Sequence, residues 1–299
     1  MTWLVTGADG FIGRALCHEL RARGLPLRAV TRRPGAQAGA VAIGPIEAFD
    51  RWAEPLRGVS CVVHLANLAH ASSRDAAAAR AVNVDATVRL ARAAIDAGVP
   101  RFVFLSSAKV HGEETCAQPF TEAAPIVPGD LYAQLKAEAE AALLGLAAAS
   151  STRFTMLRPP LVYGPGVKAN FLQLVSALGR GLPLPLAGLS NRRSLVFAGN
   201  LVDAVIRCGA APRAAPAYLL CDGPPLSTPQ LCRALGAALR RPARLFRLPQ
   251  RLLELHPAMR KLTRSLVLDD SALRAGLGWR PLFSLEQGLA ATAEWYRGR

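Results

Sequence analysis

Trp3-Leu4-Val5-Thr6-Gly7-Ala8-Asp9-Gly10-Phe11-Ile12-Gly13 is the stretch on which the reading of the whole chain turns. A short apolar run ends in three glycines spaced three apart, and a helical pattern, Ile12–Arg23, follows at once. Strand, tight turn and helix in that order form a corner that a phosphate can enter. Gly7 permits the turn, Gly10 lets backbone approach a pyrophosphate, and Gly13 lets helix and strand pack closely. The first turn of the helix brings unpaired N–H groups and the positive end of its dipole. The corner therefore predicts a dinucleotide site involving Gly7, Gly10, Phe11, Ile12 and Gly13.

Outward from this corner, apolar runs alternate with longer helical patterns. Strands are expected at Trp3–Thr6, Leu27–Thr31, Cys61–Leu65, Phe102–Ser106 and Phe154–Leu157, and helices at Ile12–Arg23, Asp75–Ala97 and Tyr132–Ala149. Apolar strands separated by helices form a parallel sheet covered on both faces, and right-handed crossovers make it doubly wound. Past Arg158 the texture changes. Pro and Gly cluster at Arg158-Pro159-Pro160 and Gly181-Leu182-Pro183-Leu184-Pro185, and shorter helices are expected at Ser227–Arg240, Pro249–Leu262 and Leu285–Tyr296. The expected architecture is α/β: a Rossmann-type doubly wound parallel sheet over residues 1–160, with a smaller C-terminal α/β substrate-binding lobe over 161–299. A return crossing to the first unit is expected near 193–215.

The 299 residues carry 36 Lys and Arg against 21 Asp and Glu, a formal charge of +15. That balance raises the question of nucleic acid. Only Lys109, Lys136, Lys168 and Lys261 are lysines, the arginines are scattered, and no zinc-finger or RNP motif occurs, so nucleic acid is not expected as a partner. No apolar run reaches the ~18 residues of a membrane span. The segment Arg247–Arg264 is amphipathic and basic and is read as a lobe helix, without stable membrane insertion. The six cysteines form no C-x-x-C pair, which fits reduced thiols, no metal site and a cytoplasmic protein.

Two further groups of residues carry chemistry. The second strand ends Val30-Thr31-Arg32-Arg33, where an NAD site usually places a carboxylate for the ribose 2′-hydroxyl. Guanidinium groups at Arg32 and Arg33 pair instead with a 2′-phosphate, so NADP(H) is favoured, with NAD(H) the alternative. Tyr132 and Lys136 lie four apart, on one face of a helix. A phenol titrates near ~10 in peptides, and a neighbouring cation lowers that value, so the pair can serve as a general acid and base on an alcohol or carbonyl. Phe102-Val103-Phe104-Leu105-Ser106-Ser107 ends a strand in hydroxyls, at the edge where such sheets bind ligands.

In this order the elements resemble the extended short-chain dehydrogenase/reductase superfamily, in its nucleotide-sugar branch of UDP-galactose 4-epimerase-like proteins. The likeness runs through the glycine loop, Val63-His64-Leu65-Ala66, Asn83-Val84-Asp85-Ala86-Thr87, Ser106-Ser107, Tyr132 with Lys136, Arg158-Pro159, Val162-Tyr163-Gly164-Pro165 and Arg193-Ser194-Leu195-Val196-Phe197. The resemblance implies a catalytic triad of Ser107, Tyr132 and Lys136. It implies cofactor contacts from Leu65, Ala66, Tyr132, Lys136 and Pro159, and a supporting role for Asn83. It also implies substrate contacts from Ser107, Asn170 and Phe171, with Arg193 gripping a UDP diphosphate. A homodimer through a helical bundle, formed by the Tyr132 helix and the helix before it, is implied as well.

Departures from the pattern narrow the expected activity. Gly44-Pro45-Ile46 lacks the aspartate that usually meets adenine, and Leu161 stands where epimerases often have Asn. Ser107-Ala108-Lys109 lacks the Asp-Glu pair of sugar-nucleotide dehydratases, so water elimination is not expected. His111 replaces a common Tyr and is read as structural. The segments Ser107 to Glu113, Gly166 to Phe171 and Asn191 to Val196 resemble a bacterial subgroup acting on UDP-N-acetylhexosamines for surface polysaccharide. The leading expectation is an NADPH-dependent 4-keto reductase of a UDP-linked 6-deoxy-N-acetylhexosamine. A UDP-hexose or UDP-N-acetylhexosamine 4-epimerase with retained NAD is the alternative, and a non-catalytic nucleotide-binding regulator the third reading.

Overall fold

The computed structural model describes residues 1–69, 75–255, 259 and 262–299. Seven parallel strands form one sheet in the order β3-β2-β1-β4-β5-β6-β9: β1 (Thr2–Thr6), β2 (Leu27–Thr31), β3 (Val41–Ala42), β4 (Val59–His64), β5 (Arg101–Leu105), β6 (Arg153–Arg158) and β9 (Ala217–Leu219). The chain winds outward from β1 through β2 to β3. It then crosses back to β4 and proceeds the other way, so the switch point lies between β1 and β4. Ligand crevices open at the C-terminal ends of strands at such a point, here at Thr6 and His64.

Successive side chains of a strand face opposite ways, and both faces of this sheet are packed. Trp3, Val5, Cys61, Val63, Val103 and Leu157 lie on one face, under α1 (Phe11–Ala22) and α5 (Ala198–Ala210). Leu4, Val30, Val62, Phe102, Phe104 and Met156 lie on the other, under α2 (Ala86–Asp96) and α3 (Leu131–Ala147). This double burial explains why the strands read as apolar runs rather than as alternations. The helix expected at Asp75–Ala97 is seen as Ala76–Arg80, a π-helical turn Ala81–Asp85, and α2.

A separate core lies in the C-terminal half. Tyr163, Phe171, Val175, Leu178, Phe197, Leu231, Leu235 and Leu289 pack together from a two-stranded sheet, β7 (Leu161–Tyr163) with β8 (Leu195–Phe197), and from α4 (Ala169–Gly179), α6 (Thr228–Ala238) and α7 (Leu285–Arg297). Between these parts the chain re-enters the main sheet layer through α5 and β9. Strand β9 is only three residues between proline-bearing loops, too short to carry a period. Of the helix expected at Pro249–Leu262, the described residues show the helical turn Gln250–Leu253 and helical backbone again at Met259 and Leu262; residues 256–258, 260 and 261 lie outside the described residues.

One buried ion pair ties the layers together beneath the site. Arg158, at the end of β6, faces Glu140 of α3, and both are nearly fully buried. Its Nε donates to the two carboxylate oxygens at 3.1 Å each, and Nη2 donates to Oε2 at 2.6 Å. Nη1 donates to Nε2 of His111 at 3.0 Å. Arginine can only donate, so His111 carries its proton on Nδ1 and gives it to the Ala124 carbonyl at 3.0 Å. Burial, then Arg158, hold the His111 pKa below the usual histidine range. His111 is therefore a neutral structural bridge, as its position suggested. Removing one member of a buried pair strands the other's charge. Glu140→Met is expected to lose about 3–5 kcal/mol in urea unfolding. The double variant Glu140→Met/Arg158→Met should recover a large part of that loss, and strict additivity of the two single losses would contradict this account.

Candidate active site

The glycine corner closes as its residue types require. Gly7 sits at φ +64°, and a Cβ there would lie 2.7 Å from the Ala66 amide nitrogen. A Cβ on Gly13 would lie 2.1 Å from the Gly7 carbonyl oxygen, so the close approach is between helix and turn rather than helix and strand. The Gly10 N–H donates to the Gly7 carbonyl at 2.9 Å. No side chain caps α1, so its first N–H groups, at Phe11, Ile12 and Gly13, face the crevice without intrahelical partners. A phosphate-bearing group fits this cradle: close glycines and a helix N-terminus that no side chain caps.

The floor is set by a hydrogen-bond chain that sequence reading did not single out as a unit. Thr87 donates to the Asn83 carbonyl at 2.8 Å, so its oxygen accepts from Nε2–H of His64 at 2.9 Å. Nδ1 then accepts from the Thr6 hydroxyl at 2.7 Å, and Thr6 Oγ1 accepts from the Ala66 N–H at 3.3 Å. Asn83 grips the Leu68 backbone in both directions, at 2.7 Å and 3.0 Å. Leu65 and Ala66 are thus fixed beside Gly7. The polar residues at the ends of β1 and β4, inside otherwise apolar strands, were the available signal.

Ser107, Tyr132 and Lys136 come to the C-terminal end of β5. Lys136 is buried, and its Nζ donates to the Leu105 carbonyl at 2.8 Å, lies 4.4 Å from the Phe104 ring centroid and 5.9 Å from that of Tyr132. Burial lowers its pKa to about 7, against a smaller opposing effect of Glu140. The Tyr132 phenol is pushed up to about 12, first by burial and then by Asp130. The expected lowering of the phenol by its lysine is therefore not seen: burial and Asp130 both raise it. Ser107 caps the short helix Ala108–Val110, its Oγ accepting from the Lys109 N–H at 3.3 Å. The neighbouring Ser106 Oγ is buried with no hydrogen-bond partner among the described residues. The Pro159 carbonyl accepts from the Ala108 N–H at 2.9 Å and holds this turn.

The remaining expected residues are distributed as follows. Arg32 and Arg33 are exposed just past β2. Arg193 is half-buried, and its Nη1 donates to the Arg264 carbonyl at 3.0 Å. Asn170 is exposed in the first turn of α4. Phe171 is different: at 3% exposure it stacks on Tyr163, with centroids 5.6 Å apart. Its side chain is spent on the core, which leaves only its backbone for a ligand. Gly166 bears on Phe11, whose ring atom would lie 3.4 Å from a Cβ at that glycine, so the second core touches the dinucleotide corner.

A doubly wound sheet whose first corner suits a dinucleotide phosphate, with Tyr, Lys and Ser at the end of β5, defines a short-chain dehydrogenase/reductase. Residues 3–220 match the NAD dependent epimerase/dehydratase family, and the chain belongs to it. It is 37% identical over 97% of its length to a UDP-glucose 4-epimerase of Vibrio cholerae, covering 94% of that protein. It is 31% identical over its full length to a UDP-glucose 4-epimerase of Mycolicibacterium smegmatis, covering 99% of that protein. Among solved structures, MoeE5 in complex with UDP-glucose and NAD superposes with a TM-score of 0.82 at 28% identity, over 100% of this chain and 99% of the other. Among the described residues no helix is long and apolar enough to cross a membrane.

The His64 chain has a measurable signature. Burial, then Lys136, lower its pKa to about 3, so the unfolded state takes up a proton near ~6.5 that the folded state refuses. Stability from this group is complete above that pH and is lost as pH falls from there toward 3. Nitrogen-edited NMR should show an unchanging Nε2–H tautomer from about pH 8 to about pH 5. A ring titrating near the peptide value would contradict the hydrogen-bond chain.

Proposed function

We propose that this chain is a UDP-sugar 4-epimerase acting on a UDP-linked hexose or N-acetylhexosamine, with a nicotinamide dinucleotide in the glycine corner. The observation that carries the reading is the gathering of Tyr132, Lys136 and Ser107 at the strand edge beside that corner. The two epimerase relatives and the UDP-glucose and NAD complex of MoeE5 support it.

The dinucleotide, held by Gly7, Gly10, Phe11, Ile12 and Gly13, supplies a hydride acceptor and donor. Tyr132, ionised to its phenolate, takes the proton of the C4 hydroxyl and, as the phenol, later returns it. Lys136 supplies the chain's own positive charge beside the phenol, to the extent that it is protonated. Ser107 donates its hydroxyl hydrogen to the C4 oxygen while its oxygen accepts from the Lys109 amide. Arg193 pairs with the diphosphate, and Asn170 with the backbone at Phe171 lines the same end. Packing of α2 and α3 from two copies would make the homodimer.

A second reading rests on one observation. Arg32 and Arg33 are exposed at the end of β2, with no carboxylate between β2 and them. That arrangement favours a 2′-phosphate and hence an NADPH-dependent 4-keto reductase. Purified protein separates the two readings. Incubated with UDP-glucose and UDP-N-acetylglucosamine without added cofactor, it should form the C4 epimer by proton NMR. Tyr132→Phe should reduce that turnover about 100- to 10,000-fold. Absence of epimer, together with NADPH consumption on a UDP-4-keto sugar, would replace the first reading with the second.

A further inference from the structure

Lys109 takes no part in the chemistry derived above, yet it touches both halves of the site. Its backbone N–H donates to Ser107 Oγ at 3.3 Å. Its ammonium bonds Asp130 Oδ2 and also donates to Glu113 Oε1 at 3.2 Å. Asp130 is the N-cap of α3: its other oxygen accepts from the Ala133 N–H at 2.8 Å, and the helix begins one residue before Tyr132. One residue therefore joins the strand-end turn that presents the serine hydroxyl to the helix start that presents the phenol.

We propose that Lys109 is a positioning residue for the Ser107–Tyr132 pair, holding the two hydroxyls in register and screening the phenol from the Asp130 carboxylate. The catalytic consequence rests on the C4 reading above; the geometric clamp does not. A pair this exposed contributes little to folding stability, so its value lies in what it orients.

The charge arithmetic gives the direction. The groups around the phenol are Asp130 at the cap, Lys136 one turn along α3, and Lys109 and Glu113 on the loop facing the cap; Glu140 and Arg158 pair with each other beyond Lys136. With Lys109 charged, the cap cluster carries one net negative charge. Without it the cluster carries two, and a like charge beside a phenolate disfavours ionisation. Burial works against ionisation of Asp130, but the Lys109 and Ala133 hydrogen bonds outweigh it and keep the carboxyl below its usual value. Its negative charge is therefore present throughout the working range.

The test uses the holoenzyme and three variants. Lys109→Met should lower kcat about tenfold at neutral pH and move the ascending limb of its pH profile, where Tyr132 becomes phenolate, up by about one unit. KM for the UDP-sugar should stay within about twofold. Lys109→Arg should restore most of kcat, because a guanidinium can bond both carboxylates. Lys109→Met/Asp130→Asn should return the limb toward wild type, since asparagine still caps the helix but brings no charge. A rise in KM alone, or an unmoved limb in Lys109→Met, would overturn the proposal. If no C4 activity exists, the tyrosinate difference spectrum of the NAD complex, blanked against Tyr132→Phe, still reads the clamp. There Lys109→Met must raise the midpoint, and an unchanged midpoint overturns the clamp independently of the assigned reaction.

Discussion

A buried amine holds this site together. The Lys136 side chain crosses from α3 to the last carbonyl of β5, and burial leaves it only about half protonated near neutrality. Taking an ammonium out of water costs free energy, and the fold offsets that cost with the Leu105 carbonyl, the Phe104 ring and the charge of Glu140. Glu140 in turn is committed to Arg158, and Arg158 to His111, which bonds the loop at Ala124. The position of the phenol thus depends on a series of buried polar contacts running from the sheet edge to the loop around Glu122.

How much of this could be read in advance depended on whether a signal was local. The five long strands and the helices after them stand out because doubly buried strands are unbroken apolar runs. The glycine corner is legible for the same reason: its demands are met within a few residues. Tyr132 and Lys136 are legible through helical spacing. The electrostatic state of that pair was not, since it depends on desolvation by Phe104 and its neighbours from a distant strand. The buried chain Thr6–His64–Thr87 links residues 23 to 58 apart, and no period connects them.

Phe171 illustrates what motif position leaves open. Its position in a motif marks it as a ligand contact, but motif position says nothing about which way a side chain points. Packing against Tyr163 turned it inward, while Asn170 before it stays at the surface. Lys109 shows the complementary case: what marks it in the sequence is a missing acidic pair, and only the fold reveals the cap that its ammonium meets.

Phe11 belongs to two compartments at once. Its ring packs against the sheet core and against the C-terminal core, while its amide lies in the first turn of the dinucleotide helix. Any rearrangement that lets the second compartment open or close must work against a residue that the cofactor corner also needs in place. Phe11 thereby couples the packing of the two cores at the corner where the phosphates would sit.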